Sequence, residues 1–470
     1  MTEPNNAPRS FIWPPLRWLI FGEALIFMLT AHLAIGLTVV IDPAAPESEM
    51  TVLWHGTSMV AFGLAMVVVM HAFGMHVVRS RRSTLQLLLK YFCCAAAATV
   101  LLWLIVGLSP SAMVNAGDIG TSVALGLALL VLWRLVVSVV IDSTAMRRNV
   151  VVLGAGHAAR TFHDALRRRS DRRGIEIVGY LPLPGDRTNG ILPAQLLHSR
   201  TTLGRLCERN QVSEIIVASD NRRGDLPVKD LLDCRFRGIT VTQAATFVER
   251  ECGRIPVELA EPGWWLYHNG FADGGARRVL KRTFDLVAAT LIVLPAAPLM
   301  LMCAFAIRIE DGGAVLFRQT RVGKNGREFR LVKFRSMRED AESDGVARWA
   351  RRDDNRVTRV GRFLRKTRLD ELPQLFNVIG GDMSLVGPRP ERPEFVHELV
   401  RQIPYYEQRH AMRPGITGWA QLSYPYGAST RDALEKLKYD LYYIKNYSFA
   451  FDVAILLRTV EVVLFGKGAR

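Results

Sequence analysis

The sequence predicts three successive parts: a membrane α-helical bundle of four transmembrane helices, a Rossmann-like α/β domain, and a mixed α/β domain entered through a re-entrant membrane helix. Three observations carry that division. Four apolar segments, roughly 18–40, 53–78, 87–108 and 121–141, are each about as long as the ~20 helical residues that a ~30 Å hydrocarbon core requires. A valine run then ends in a glycine-spaced turn at 149–160. A fifth apolar stretch, about 286–307, holds Pro295 and Pro298 at its centre and has cations on both sides. The predicted divisions are 1–146, 147–265 and 275–470, with the re-entrant helix at about 280–309.

The charge pattern gives the bundle its orientation. The loops near 41–52 and 109–120 contain no Lys or Arg, whereas Arg79, Arg81, Arg82 and Lys90 follow the second segment and Arg147 and Arg148 follow the fourth. Cytoplasmic loops retain cations, so both ends of the bundle are expected to face the cytoplasm. The first segment is longer than a signal-peptide core and lacks a small-residue cleavage site, which favours a retained helix. A net charge of +16 alongside 49% hydrophobic residues and a mean hydropathy of +0.14 fits a protein held against anionic lipid. A soluble nucleic-acid binder shares the charge but not the apolar blocks, so no nucleic-acid partner is expected. The six cysteines show no CxxC spacing and the ten histidines no HxxxH pair, which leaves no disulfide frame or zinc site.

The stretch NVVVLGAGHAAR, 149–160, reads as strand, tight turn and helix start, and IEIVGYLP and SEIIVASD supply further strands. A nicotinamide site wants an acid about 20 residues downstream to hold the ribose, and Val178, Gly179 and Tyr180 stand there instead. A structural or regulatory role is therefore favoured over nucleotide binding.

In the fifth apolar stretch each proline removes a backbone donor, so a kink or break is expected at Pro295. Arg277, Arg278, Lys281 and Arg282 precede it, and Arg308 and Arg318 follow. A helix–break–helix that enters and leaves by one face keeps both cationic flanks, and the domains they join, on the same side. Beyond it, 315–337 reads as a hairpin about Gly323, Lys324, Asn325 and Gly326, with Lys333 and Arg335 two residues apart on one strand face. At the chain's end, an apolar helix broken by Asp452, Arg458 and Glu461 suits interfacial or internal packing better than a span.

The run RLDELPQ at 368–374 places Asp370 and Glu371 side by side between leucines. Acids in a helix's first turn commonly serve only the dipole. Here the surrounding blocks KFRSM, LDELPQLFNVIGGDMSLVGPRP and RPGITGWAQ closely resemble the bacterial sugar transferase family, the polyisoprenyl-phosphate hexose-1-phosphate transferases or monotopic phosphoglycosyl transferases, over 275–470. The bundle and the α/β domain ahead of it resemble the large members that begin exopolysaccharide or O-antigen repeat units.

Moving a sugar phosphate between phosphates needs a nucleophile, a divalent cation and fixed positive charge. Asp370 can be the nucleophile. Lys366, one helical turn earlier at i−4, is placed to hold it ionised or to meet a phosphate, and Arg389, locked between Pro388 and Pro390, presents a preset fork. Lys333, Arg335, Glu391 and Arg413 complete the candidates for binding the substrate or its phosphates, with a structural ion pair as the alternative for Glu391 and Arg413.

The resemblance implies that Asp370 attacks the sugar-bearing phosphorus, forms an aspartyl-phosphosugar and touches Mg²⁺, with Glu371 as base or metal support. It implies a UDP-sugar donor, with UDP-glucose expected first and UDP-galactose next, and undecaprenyl phosphate as acceptor in the lipid bilayer. It leaves room for a homodimer. Two rivals are a membrane nucleotide-sugar dehydratase and a catalytically silent assembly scaffold. The first requires a Tyr-x-x-x-Lys pair, which the chain lacks; the intact acid pair speaks against the second.

Overall fold

The computed structural model describes residues 148–465 apart from 168–170, 173, 187–190, 198–200, 221–225, 268–269, 271–273, 339–355, 426 and 428, together with helical positions at 22, 25, 26, 29, 128, 129, 132 and 133. The four predicted membrane segments otherwise lie outside the described residues. The chain divides into two compact units, Met1–Ala244 and Ala245–Arg470.

In the first unit, alternating hydrophobic strands and helices build a four-stranded parallel sheet. Strands β1 (Arg148–Leu153), β2 (Ile175–Leu181), β3 (Val212–Val217) and β4 (Thr240–Gln243) lie in the order β2-β1-β3-β4. Helices α1 (His157–Ala165), α2 (Leu203–Arg209) and α3 (Val228–Phe236) connect or follow them. Val150, Val151, Val152 and Leu153 are fully buried, as a central parallel strand covered on both faces requires.

The glycine turn after β1 forms as expected, but its amides already have an anion. Asp220, just past β3, accepts from His157 N at 2.7 Å and Ala158 N at 2.6 Å, and Asp186 accepts from Ala155 N at 2.7 Å. A Cβ on Gly156 would meet the Asp220 carboxylate at 2.1 Å. The helix N-terminus that would cradle a dinucleotide phosphate is thus filled by the chain's own carboxylates, and an added phosphate does not fit there.

The second unit begins with α4 (Ala244–Cys252) and α5 (Pro262–Tyr267). These residues were grouped with the α/β domain in the sequence division; from Ala245 onward they pack in the second unit. Helix α6 (Gly275–Asp311) follows, 37 residues long. The break expected at Pro295 is absent: α6 stays helical through Pro295 and Pro298, and both of its halves pack on the same unit, Ala289 in the cluster with Leu375 and Val378 and Ile307 in the cluster with Phe334 and Leu364. The two prolines are three residues apart, so the amides they remove, which would bond to Leu291 and Leu294, fall in adjacent turns while the flanking turns keep their ladder.

The helix is long and apolar enough to cross a membrane, and only 11% of its apolar window is buried. Leu291, Leu294, Leu301, Met302 and Phe305 are exposed on it, whereas Lys281, Asp285, Ala289, Cys303 and Ile307 toward its ends are buried.

Strands β5 (Leu316–Val322) and β6 (Glu328–Phe334) form the predicted antiparallel hairpin, with Val322 opposite Glu328. Asn325 and Gly326 take positive φ at its tip, which explains their identity. Helix α7 (Arg359–Thr367) starts at Thr358, whose hydroxyl accepts from Gly361 N at 2.9 Å. It ends at Arg368, whose φ of 58° is left-handed.

A 3₁₀ turn, Leu369–Glu371, leads into α8 (Gln374–Gly380), and β7 (Ser384–Val386) pairs in parallel with β8 (Gly415–Thr417). Helices α9 (Pro393–Gln402), α10 (Trp419–Ser423), α11 (Thr430–Lys445) and α12 (Phe449–Phe465) complete the unit. Helix α12 packs inward: Asp452 is buried and meets Lys281 of α6 at 2.6 Å, with Tyr443 donating to the same carboxylate.

Candidate active site

The two acids diverge because of the leucines beside them. With three residues per 3₁₀ turn, Leu369 and Leu372 fall on one face. Leu369 packs against Cys303, Ile307, Phe334 and Leu364, and Leu372 joins both that cluster and the one around Leu375 and Val378. Packing both half-buried leucines against these clusters sends Asp370 and Glu371 in two other directions, about 120° apart.

Their surroundings then differ. Glu371 accepts from Arg389 at 3.0 Å and lies 3.9 Å from Arg368. Burial would raise its carboxyl, but these guanidiniums outweigh that and hold it below the usual range. Among the described residues Asp370 has no hydrogen-bond or ion-pair partner. Burial and the charge of Glu371 push its carboxyl up to about 6, opposed by Lys333, Arg389 and Arg365. Lys333, with its Nζ 5.1 Å above the Phe317 ring, is itself lowered to about 8 by burial and by Arg321. A carboxylate left unpaired inside a ring of cations is arranged to react or to bind.

The Pro-Arg-Pro loop is gripped through its backbone. Arg409 donates to the Arg389 carbonyl at 3.0 Å and Arg321 to the Pro390 carbonyl at 3.1 Å. Gly387 lets this loop lie against the segment before β8, since a Cβ there would come within 2.4 Å of the Arg413 carbonyl oxygen. The Arg389 fork therefore leaves a fixed backbone, meeting Glu371 with one nitrogen and Gln421 at 3.4 Å with the other.

Among the described residues no group of three or more His, Cys, Asp or Glu gathers as a ready metal cage. The donor set of Asp370 and Glu371 still fits Mg²⁺, which binds through one or two carboxylates and takes its remaining oxygens from substrate phosphates and water. The unpaired Asp370 is the side chain open to it.

Residues 276–466 match the family model of bacterial sugar transferases. An Aeromonas hydrophila protein, UDP-N-acetylgalactosamine-undecaprenyl-phosphate N-acetylgalactosaminephosphotransferase, is 50% identical over 284 residues, 58% of this chain and 66% of that one. The undecaprenyl-phosphate glucose phosphotransferase of Komagataeibacter xylinus is 34% identical over 334 residues, 69% of this chain and 60% of its own. Each of these matches spans less than two thirds of the relative's length. A UDP-glucose:undecaprenyl-phosphate glucose-1-phosphate transferase from Xanthomonas campestris is 33% identical over 339 residues, 68% of both chains.

The chain belongs to the bacterial sugar transferase family. All the site residues predicted from sequence lie within the family-matched region, and the structure sorts them. Asp370, Glu371, Lys333 and Arg389 come together.

Lys366 does not join them. The left-handed Arg368 ends α7 before Asp370, so the two share no helix face, and Arg365 supplies the nearby charge instead. Arg335, just past the end of β6, pairs instead with Asp311 at the end of α6. Glu391 sits 3.7 Å from Arg321 as an internal ion pair, and its carbonyl accepts from Val322 N. Arg413 is half-buried, with no ion pair among the described residues, and makes no contact to the acid pair.

Sequence reading missed Arg365, Arg368, Arg321, Gln421 and the buried Arg409. Proximity in sequence to RLDELPQ was the signal for the first two. Nothing local distinguishes Arg409 from a surface cation.

Proposed function

We propose that this sugar transferase moves a hexose-1-phosphate from a UDP-sugar to undecaprenyl phosphate, releasing UMP, and so begins a polysaccharide repeat unit. The observation that carries the reading is the unpaired Asp370 carboxylate among Lys333, Arg365 and Arg389, beside a Glu371 already engaged by arginine.

In this reading an Asp370 oxygen attacks the sugar-bearing phosphorus. The bond from that phosphorus to the UMP oxygen breaks, and UMP leaves with the electron pair. An oxygen of the lipid phosphate then attacks the aspartyl-phosphosugar and restores the carboxylate. Arg389 and Lys333 hold the diphosphate and offset its charge. Glu371, held ionised by its arginines, keeps Arg389 oriented. Mg²⁺, held by Asp370 with support from Glu371, would supply charge neutralisation at the phosphates.

The exposed apolar middle of α6, with both ends buried against the same unit, supports a helix bent about its prolines that enters the cytoplasmic leaflet and leaves by the same face, keeping the site at the headgroups. The α/β domain serves as a structural or regulatory module, since its glycine turn is closed by Asp220 and Asp186.

UDP-glucose is the first donor expected. UDP-N-acetylgalactosamine is a second reading, favoured by the name of the relative that is 50% identical. The test is UMP release by the purified full chain in detergent with Mg²⁺, undecaprenyl phosphate and a panel including UDP-glucose, UDP-galactose and UDP-N-acetylgalactosamine. Release with one donor, abolished by Asp370→Asn, supports the reading. No release with any donor, or full transfer by the variant, overturns it.

A further inference from the structure

Residues 245–267 lie upstream of the family-matched region, yet they pack inside the unit that holds the site. Their polar contacts converge on the two helices that support Arg389. Glu249, itself buried, receives Lys445 at 2.6 Å and Asn446 at 3.0 Å at the end of α11. Lys445 also stands 4.1 Å above the Trp264 ring. Further along α11, Arg254 meets Glu435 at 3.0 Å, Glu258 meets Lys438 at 2.7 Å, and Ile255 N donates to the Lys438 carbonyl at 3.0 Å.

Between those anchors α11 carries Asp440, which binds Arg409 at 2.8 Å, and Arg409 holds the Arg389 carbonyl. The second route runs through α10. Gly253 presents its carbonyl to Trp419 Nε1 at 2.8 Å, and the same short helix carries Gln421 to the Arg389 guanidinium.

We propose that residues 249–258 act as a brace that positions Arg389, through α11, Asp440 and Arg409 on one side and through Trp419 and Gln421 on the other. Glu249, Arg254, Glu258 and Trp419 are then positioning residues that touch no substrate. Two separate supports of one residue, its backbone carbonyl and its guanidinium, both held by a single upstream segment, are more than packing needs. Either support would bury the segment; together they fix the fork in position and direction. The inference rests on the proposed transfer for its activity readout, so the test also carries a binding readout.

The experiment is a double-mutant cycle in the full-length protein. Glu249→Gln removes the charge that holds Lys445, and Trp419→Phe removes the indole donor to Gly253 while keeping an aromatic ring in place. Each is made alone and with Arg389→Lys. Steady-state UMP release is measured, UDP affinity is measured by calorimetry, and thermal melting reports folding. Each brace variant is expected to lower kcat/KM by about tenfold in the parent and by less than about twofold in the Arg389→Lys background, where the fork is already lost. UDP affinity follows the same non-additive pattern and decides the matter where turnover is too low to read or where no donor proves active. Equal losses in both backgrounds, or unchanged kinetics and UDP affinity in the brace variants, would overturn the proposal. A melting shift with no change in either readout would reduce the brace to ordinary packing.

Discussion

Asp370 and Glu371 are neighbours in sequence but chemically unlike, and the difference comes from arginine. Removing the unpaired carboxylate should leave the fold intact, because no described residue pairs with it. Asp370→Asn is therefore expected to melt within a few degrees of the parent while UMP release falls by about 10³-fold or more. Glu371 is held down by Arg389 and Arg368, so Glu371→Gln frees the Arg389 fork and removes a negative charge from the site. Arg389→Lys keeps the charge and loses the fork, with an expected loss of about 10- to 100-fold in kcat/KM.

His410 gives a pH signature apart from the acids. Burial and the adjacent Arg409 push its imidazole down to about 4 from an ordinary 6.5. The folded state thus refuses a proton that the unfolded chain accepts, so this residue's contribution to stability is lost as pH falls from about 6.5 toward 4. Asp440, pushed up to about 6 by burial, acts with the opposite sign. The comparison is therefore between the parent and His410→Phe: melting temperatures at pH 7.5 and 5 should fall less in the variant.

At the scale of elements, turns and close approaches decide where the side chains go. The left-handed residue at Arg368 separates α7 from the reactive turn, and the 3₁₀ geometry then pairs the leucines inward. Helix α6 is fixed at its base by Lys281, which binds Asp452 and the Val386 carbonyl. Lys281→Met would leave a buried carboxylate without its cation, and denaturant unfolding should show a loss of about 3–5 kcal/mol. Gly387→Ala forces a methyl against the Arg413 carbonyl and should cost about 1–3 kcal/mol while displacing Pro388 and Arg389. In the first unit, Asp220→Ala strips two amides of their acceptor at the start of α1, with an expected loss of about 1–2 kcal/mol in unfolding of the full chain.

On the scale of the whole molecule, the proposed function asks that nucleotide sugar and lipid phosphate meet at a membrane surface. A helix that dips and returns keeps residues on both sides of it in one compartment. Reporters placed near residue 270 and after Arg470 should then read the same side, the cytoplasm. Opposite readings would make α6 a full span and remove the site from its nucleotide donor.

Periodicity and turn chemistry made much legible in the sequence alone. The hairpin at 316–334, the strand-turn-helix at 148–165, the acid pair and the apolar helix from 275 all come from local preferences that need no distant partner. Tertiary structure decided the partners. Local pattern could not say that Arg335 turns to Asp311, that Lys366 is cut off by a left-handed residue, or that Asp220 fills the glycine turn from 62 residues away. It also could not reveal Arg409, a cation that reads as surface charge until folding buries it against Asp440 and Tyr406. The physical reason is range. Hydrophobic pattern and backbone preference act over a few residues, whereas a buried charge is placed by whichever opposite charge the completed fold brings beside it.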